Sequence, residues 1–194
     1  MFRGYLFISN DINSDIEVPV LGWAIDVANT KRLKLTIELV PSTIWFSSLY
    51  RLMSKSNWRA LKEEIYEKEG KRCYICGSTR PPFELHEFWE YDDEARVQKL
   101  VGIHHLCRLC HMVKHIGFWC HTSNGREKLE KLGLSRNDLI AHFCRVNGCS
   151  EKEFFRHEDE AFKIWEWRSK YDWRQDFGKY ERFLTLKKHR RKRS

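Results

Sequence analysis

Leu106-Cys107-Arg108-Leu109-Cys110-His111-Met112-Val113-Lys114-His115, read together with Cys73-Tyr74-Ile75-Cys76-Gly77, decides how this chain folds. Each Cys-x-x-Cys places two thiolates on one side of a tight knuckle, and Gly77 marks the turn after the first. Two knuckles brought together supply the tetrahedral four-sulfur shell that Zn2+ favours in closed structural sites. The 30 residues between Cys76 and Cys107 exceed what a simple ribbon needs, so a hairpin or strand pair is expected between them. Folding should depend on the metal, because zinc binding to such a site rivals the stability of a whole domain. Of the seven cysteines, Cys120, Cys144 and Cys149 share no such spacing and read as buried or free thiols.

A helix beginning at the second knuckle puts His111 and His115 four residues apart on one face, where two imidazoles can chelate one cation. A third ligand arriving from a strand completes a site that keeps positions open for water and substrate, unlike the closed zinc shell beside it. His86, in Glu84-Leu85-His86-Glu87, is the candidate.

Glu84-Leu85-His86-Glu87, Trp89-x-Tyr91-Asp92, Leu100-Val101-Gly102 and the Leu106–His115 stretch together resemble an HNH endonuclease of the zinc-knuckle type. The likeness runs from about Leu33 to Phe177 and takes in Glu38-Leu39-Val40-Pro41-Ser42-Thr43 and His115-Ile116-Gly117. It implies an α+β fold with a ββα-metal, treble-clef-like core, in which two strands and a helix grip one metal ion and Cys73, Cys76, Cys107 and Cys110 staple the unit. It further implies metal-dependent hydrolysis of phosphodiester bonds in DNA, as a nickase or as part of a phage, defence or mobile-element system. His86, His111 and His115 match the ligands of the catalytic ion, which would be Mg2+ or another divalent ion such as Mn2+ or Ni2+. Three imidazoles suit a transition metal better than Mg2+, which prefers oxygen.

Two positions depart from that pattern. Glu87, paired with His86 in the catalytic motif, stands where the family places its general-base histidine, and Gly102 stands where its middle Asn is expected. A carboxylate is a weaker base than imidazole unless burial raises its pKa. In an alternative, Glu87 is a ligand and His104 or His105 is the base. Those two point to opposite faces of a strand, so only one of them can reach the site. Two non-enzymatic readings stand beside the nuclease. One is a zinc-stapled module that binds nucleic acid or a protein partner without cutting. The other is a structural zinc protein whose aromatic helices dock on a larger assembly.

Outward from this core the chain divides into an extension at 1–32, a strand and helices at 33–70, the core at 71–118, a helical region at 119–178 and a basic tail at 179–194. Strands are expected at Tyr5–Ile8 and Val18–Ile25. Leu33–Val40 alternates Leu33, Leu35, Ile37 and Leu39 with polar neighbours, the period of a half-buried strand, which Pro41 ends. Ile44, Trp45, Leu49, Leu52 and Met53 suggest one helix after Ser42, and a second runs from Asn57 to Gly70. Arg126–Leu132 is a short helix closed by Gly133, and Ser135 caps another that ends at Asn147-Gly148. Ser150 and Glu153 have capping-box spacing and open a helix to about Tyr171, with Phe154, Phe155, Ala161, Phe162, Ile164 and Trp165 as its buried stripe.

The charge is uneven. The net value is +8, and setting aside the six basic residues of the Lys187–Arg193 tail leaves +2 for everything else. Lys187, Lys188, Arg190 and Arg191 of the tail, and Arg72, Arg80, Arg108 and Lys114 around the motif, are the expected phosphate contacts. Trp89 and Tyr91 read either as base-stacking or as core residues. No apolar run approaches the length of a spanning helix, and the apolar stretch Tyr5–Ile8 within Met1–Asn10 is too short for the core of an export signal. A reducing, cytoplasmic setting is therefore expected, with DNA as the partner and room for a protein partner or a second copy of the chain.

Overall fold

Between the knuckles, Phe83–Asp92 (β1) and Val97–Cys107 (β2) pair antiparallel, so the expected hairpin is there, and it sets Phe83 opposite Cys107 and His86 opposite His104. The ladder slips between Phe88 and Trp89, leaving Val101 as the extra residue of a β-bulge. A short third strand, Arg174–Asp176 (β3), joins β2 in parallel, making a three-stranded sheet in a mixed α+β fold. The computed structural model describes residues 33–45 and 47–184; the two strands expected before Leu33 and the basic tail with Lys187, Lys188, Arg190 and Arg191 lie outside them. The described residues belong to one compact unit. Among the described residues no helix is long and apolar enough to cross a membrane.

Among the described residues seven α-helices accompany the sheet: Leu49–Leu52 (α1), Lys55–Glu69 (α2), Arg108–Lys114 (α3), Ile116–His121 (α4), Ser123–Lys131 (α5), Arg136–Asn147 (α6) and Glu151–Arg168 (α7). Alternation along β1 divides the packing. Leu85 and Trp89 face a core made with Leu49, Leu61, Ile65, Phe177 and Tyr180. Phe88 faces the larger core of Leu106, Val113, Ile116, Phe143 and Phe154.

The helix ends follow their sequence signals. Ser54 accepts from Asn57 N, while Ser135 with Asp138 and Ser150 with Glu153 form capping boxes. Gly148 closes α6 in the left-handed region at φ 61°.

Three expectations change. The single helix after Ser42 is a 3-10 turn at Ser42–Ile44 followed by the separate α1, and Met53 instead bridges Leu184. In α7 the Phe155 ring is 47% exposed, off the buried stripe, and the helix ends at Arg168. Leu33–Val40 is not a strand. Leu35 and Ile37 are buried as their alternation demands, but among the described residues no strand pairs with the segment. Its backbone is held mainly by side chains: Asn147 Oδ1 accepts from Lys34 N and Leu35 N, Asn147 Nδ2 donates to Leu35 O, and Ile37 N donates to His157 Nε2 at 2.9 Å.

That last bond requires a neutral imidazole. Burial, aided by the charge of Lys114, pushes the His157 pKa down to about 4. The unfolded chain binds the proton more readily, so His157 stabilises the fold above pH 6.5, and this is lost as pH falls toward 4. The span corresponds to about 3 kcal/mol. Urea unfolding between pH 7 and pH 4 should therefore show a shallower acid loss in His157→Gln than in the parent. Equal slopes would remove His157 from this role.

Candidate metal centre

The sulfurs of Cys73, Cys76, Cys107 and Cys110 all lie within 4.8 Å of one another. Cys76 and Cys107 are 3.7 Å apart, Sγ to Sγ. A tetrahedral zinc shell with ordinary Zn–S bonds has sulfur–sulfur edges of about 3.8 Å. The four sulfurs therefore fit a metal such as zinc. The first knuckle is built by Gly77 N on Cys73 O and Cys73 N on Ser78 O, with Gly77 at φ +72°, where only glycine sits without strain. Tyr74 N donates to His105 O at 2.8 Å and ties the knuckle to β2.

A neighbour the sequence did not single out completes this cluster. His142 on α6 places Nε2 at 3.1 Å from Cys110 Sγ, and Arg145 Nη2 lies 3.3 Å from His142 Nδ1. Arginine only donates, so Nδ1 accepts and the Nε2 proton points at the sulfur. Burial holds His142 neutral by lowering its pKa. An N–H on a cysteine sulfur is the kind of outer contact that stabilises a thiolate for metal.

Beside this cluster, His86 from β1 meets His111 on α3 and His115 at its end. Ring centroids are 5.3 Å apart for His86 and His111, 4.9 Å for His86 and His115, and 4.8 Å for His111 and His115. The sequence brought together these same three, and their ligand nitrogens lie within 4.8 Å of one another. Burial lowers the pKa of both His86 and His115, so their imidazoles stay neutral with lone pairs available to a cation. Glu84 Oε2 lies 2.5 Å from His111 Nδ1, which fixes the proton there and leaves Nε2 for a metal. That hydrogen bond holds the Glu84 carboxyl below its usual range despite partial burial.

Glu38 closes the cluster from the far side. Its Oε2 is 3.4 Å from His86 Nε2, and its other oxygen pairs with Lys114. Burial works against the Glu38 charge, but His86 and Lys114 together hold its pKa below the ordinary value.

No family model, curated protein or solved structure matches the chain.

Several expected roles move. Glu87 does not reach the histidines, because adjacent strand residues face opposite sides. Its Oε1 accepts from Leu49 N at 2.8 Å and caps α1, a role that the N-cap Ser48 side chain leaves open. Burial still pushes the Glu87 pKa up to about 7. Lys114 is 2% exposed, with its ammonium on Glu38, on Thr36 Oγ1 at 3.0 Å and over the Phe88 ring, so it is not a phosphate contact.

His104 and His105, the alternative bases, are each held inside the fold. His104 Nδ1 lies 2.8 Å from Glu69 and its ring stacks on Tyr74. His105 is fully buried against Tyr66, its ring nitrogens have no hydrogen-bond partner among the described residues, and burial drives its pKa down to about 4. A side chain at Gly102 would begin 2.7 Å from His104 Nε2, so an Asn there would displace a ring already held on two sides.

Arg72 is exposed, with Nε on Glu69 O, and Arg108 is half-buried at the start of α3. Trp89 packs on Phe177 and Tyr91 on Trp173, so both are core residues and not bases' stacking partners. Glu84 was within reach of sequence reasoning: two residues before His86 on a strand, it must share its face.

Proposed function

We propose that the chain is a metal-dependent phosphodiesterase cutting DNA, with the ββα-metal core of an HNH endonuclease. The observation that carries this is the convergence of His86, His111 and His115 as a three-donor cluster next to, but separate from, a four-sulfur cluster. A closed shell and an open one side by side match a structural ion and a reactive one. When bound, the ion at the histidines supplies the Lewis acidity that polarises a phosphodiester and makes water more acidic. The chain's part is positional. Glu84 holds the proton on His111 Nδ1, Glu38 and Lys114 steady His86, and the hairpin, stapled at its ends by the cysteines, fixes β1 against α3. An all-imidazole donor set favours Mn2+, Ni2+ or Zn2+ over Mg2+.

A second reading, a zinc-stapled module that binds nucleic acid without cutting, is favoured by one observation. The carboxylate in the base position is engaged in capping α1. Supercoiled plasmid and single-stranded DNA incubated with Mg2+, Mn2+, Ni2+ or EDTA separate the two. The nuclease nicks only with a divalent ion, His111→Ala falls to the EDTA level, and Glu87→Gln cuts at close to the parent rate. Parent protein that nicks no faster than His111→Ala with any of these ions would leave only the binding module.

A further inference from the structure

Away from the three histidines, a cleft of about 630 Å³ opens between the first knuckle, the start of α3 and the outer face of α6. Its charged lining comes from four separate parts of the chain: Lys34 before the sheet, Arg80 after the first knuckle, Arg108 on α3 and Arg145 on α6. No Asp or Glu lines it. Among the described residues none of these four cations has a carboxylate within 4.0 Å, whereas Lys163 and Arg182, which lie outside the cleft, each have one. Gathering like charges with no carboxylate in ion-pair range costs stability and gives a local field that attracts anions. Three of the four are arginines, whose planar guanidinium matches phosphate with paired hydrogen bonds.

The cleft also leads toward the histidines. Arg108 and His111 are three residues apart on α3 and so share a face. Arg108 lies close enough to Glu84, the partner of His111, to help hold that carboxyl ionised.

We propose that this cleft seats the phosphodiester backbone of a nucleic-acid strand, with Arg80 and Arg145 as outer contacts and Arg108 as the contact that passes the strand toward the histidine cluster. The assignment takes its polyanion from the nucleic-acid reading above, but it concerns binding and does not require that the strand be cut.

The test uses the full chain loaded with zinc and fluorescein-labelled 20-mers as duplex DNA, single-stranded DNA and duplex RNA, followed by anisotropy across a series of salt concentrations. Arg80→Gln/Arg145→Gln should weaken duplex binding about tenfold at low salt and make the slope of log K against log salt shallower by about 1.8, the value for two lost phosphate contacts. Lys163→Gln/Arg182→Gln, which removes two cations already paired with carboxylates, should change neither quantity. The three probes show which strand form is seated. Because Arg145 also touches His142, zinc content and thermal melting are measured alongside. Lys34→Gln/Arg80→Gln replaces the first variant if that one loses zinc.

Parent-like affinity and slope in the cleft variant would overturn the proposal. So would an equal loss in the control pair, or parent protein that binds none of the three probes at low salt. Loss of ion-dependent nicking bears on the nuclease reading alone. A cleft variant that nicks but binds as the parent does bears on the cleft alone.

Discussion

Cys73→Ser will release about one equivalent of zinc and leave a chain that no longer folds cooperatively at room temperature. The apparent binding energy of a structural zinc, about 10–16 kcal/mol, is as large as the whole stability of a domain, about 5–15 kcal/mol. Cys73 is 1% exposed and sits in the same core as Leu106, Val113 and Phe143, so losing the ion exposes thiolates in the middle of the packing and not at its edge. A serine hydroxyl does not replace a thiolate as a zinc ligand. The remaining three sulfurs, all within 4.8 Å of the vacated position, would be left close together without the charge that reconciles them. Metal analysis on purified protein and a thermal melt by circular dichroism check both halves of the statement. Full zinc content with an unchanged melt would mean that the four sulfurs hold no structural ion.

The second large effect comes from a pair with no sulfur in it. Lys114 is 2% exposed, and among the described residues Glu38 is its only carboxylate partner. Deleting one member of such a pair strands a buried charge, which typically costs about 3–5 kcal/mol. Glu38 itself is 34% exposed, so water can partly replace it, and Glu38→Ala should fall near the low end, about 3 kcal/mol by urea unfolding. Adding Lys114→Met removes the stranded ammonium and fills its volume with an apolar chain. The double variant should therefore be more stable than Glu38→Ala alone. If instead Glu38→Ala costs less than about 1 kcal/mol, Lys114 has a route to water and the pair contributes only what a surface ion pair does.

What could be read from the sequence was what lies close in it or is dictated by one atom type. The cysteine spacing, the hairpin between the knuckles and the helix carrying His111 and His115 needed only local geometry and ligand chemistry. The caps at Ser135 and Ser150 needed only the next three residues. Partners distant in sequence were not legible. Leu33–Val40 has the period of a strand because it is half-buried, but the groups that satisfy its backbone are mainly side chains more than 100 residues away. Lys114 looked like a surface cation because Glu38 lies 76 residues earlier, and nothing near it marks the pairing. Glu87 illustrates a different limit. The motif assigned it a chemical role from its place in a pattern, while the two-residue period of β1 assigns it to the opposite face, where the start of α1 takes it up.

The way Leu33–Val40 is held also has a consequence for how the molecule is made. Its anchors, Asn147 and His157, are synthesised 112 and 120 residues after the groups they bind. At ordinary ribosomal speeds of about 5–20 residues per second, Leu35 and Ile37 leave the ribosome roughly 6–24 seconds before their partners exist. During that interval a strip with the alternation of a strand has no native place to dock. The nascent chain is then most open to chaperones and to mispairing with other chains, and a message truncated before α6 would yield a product that lacks both anchors of that strip.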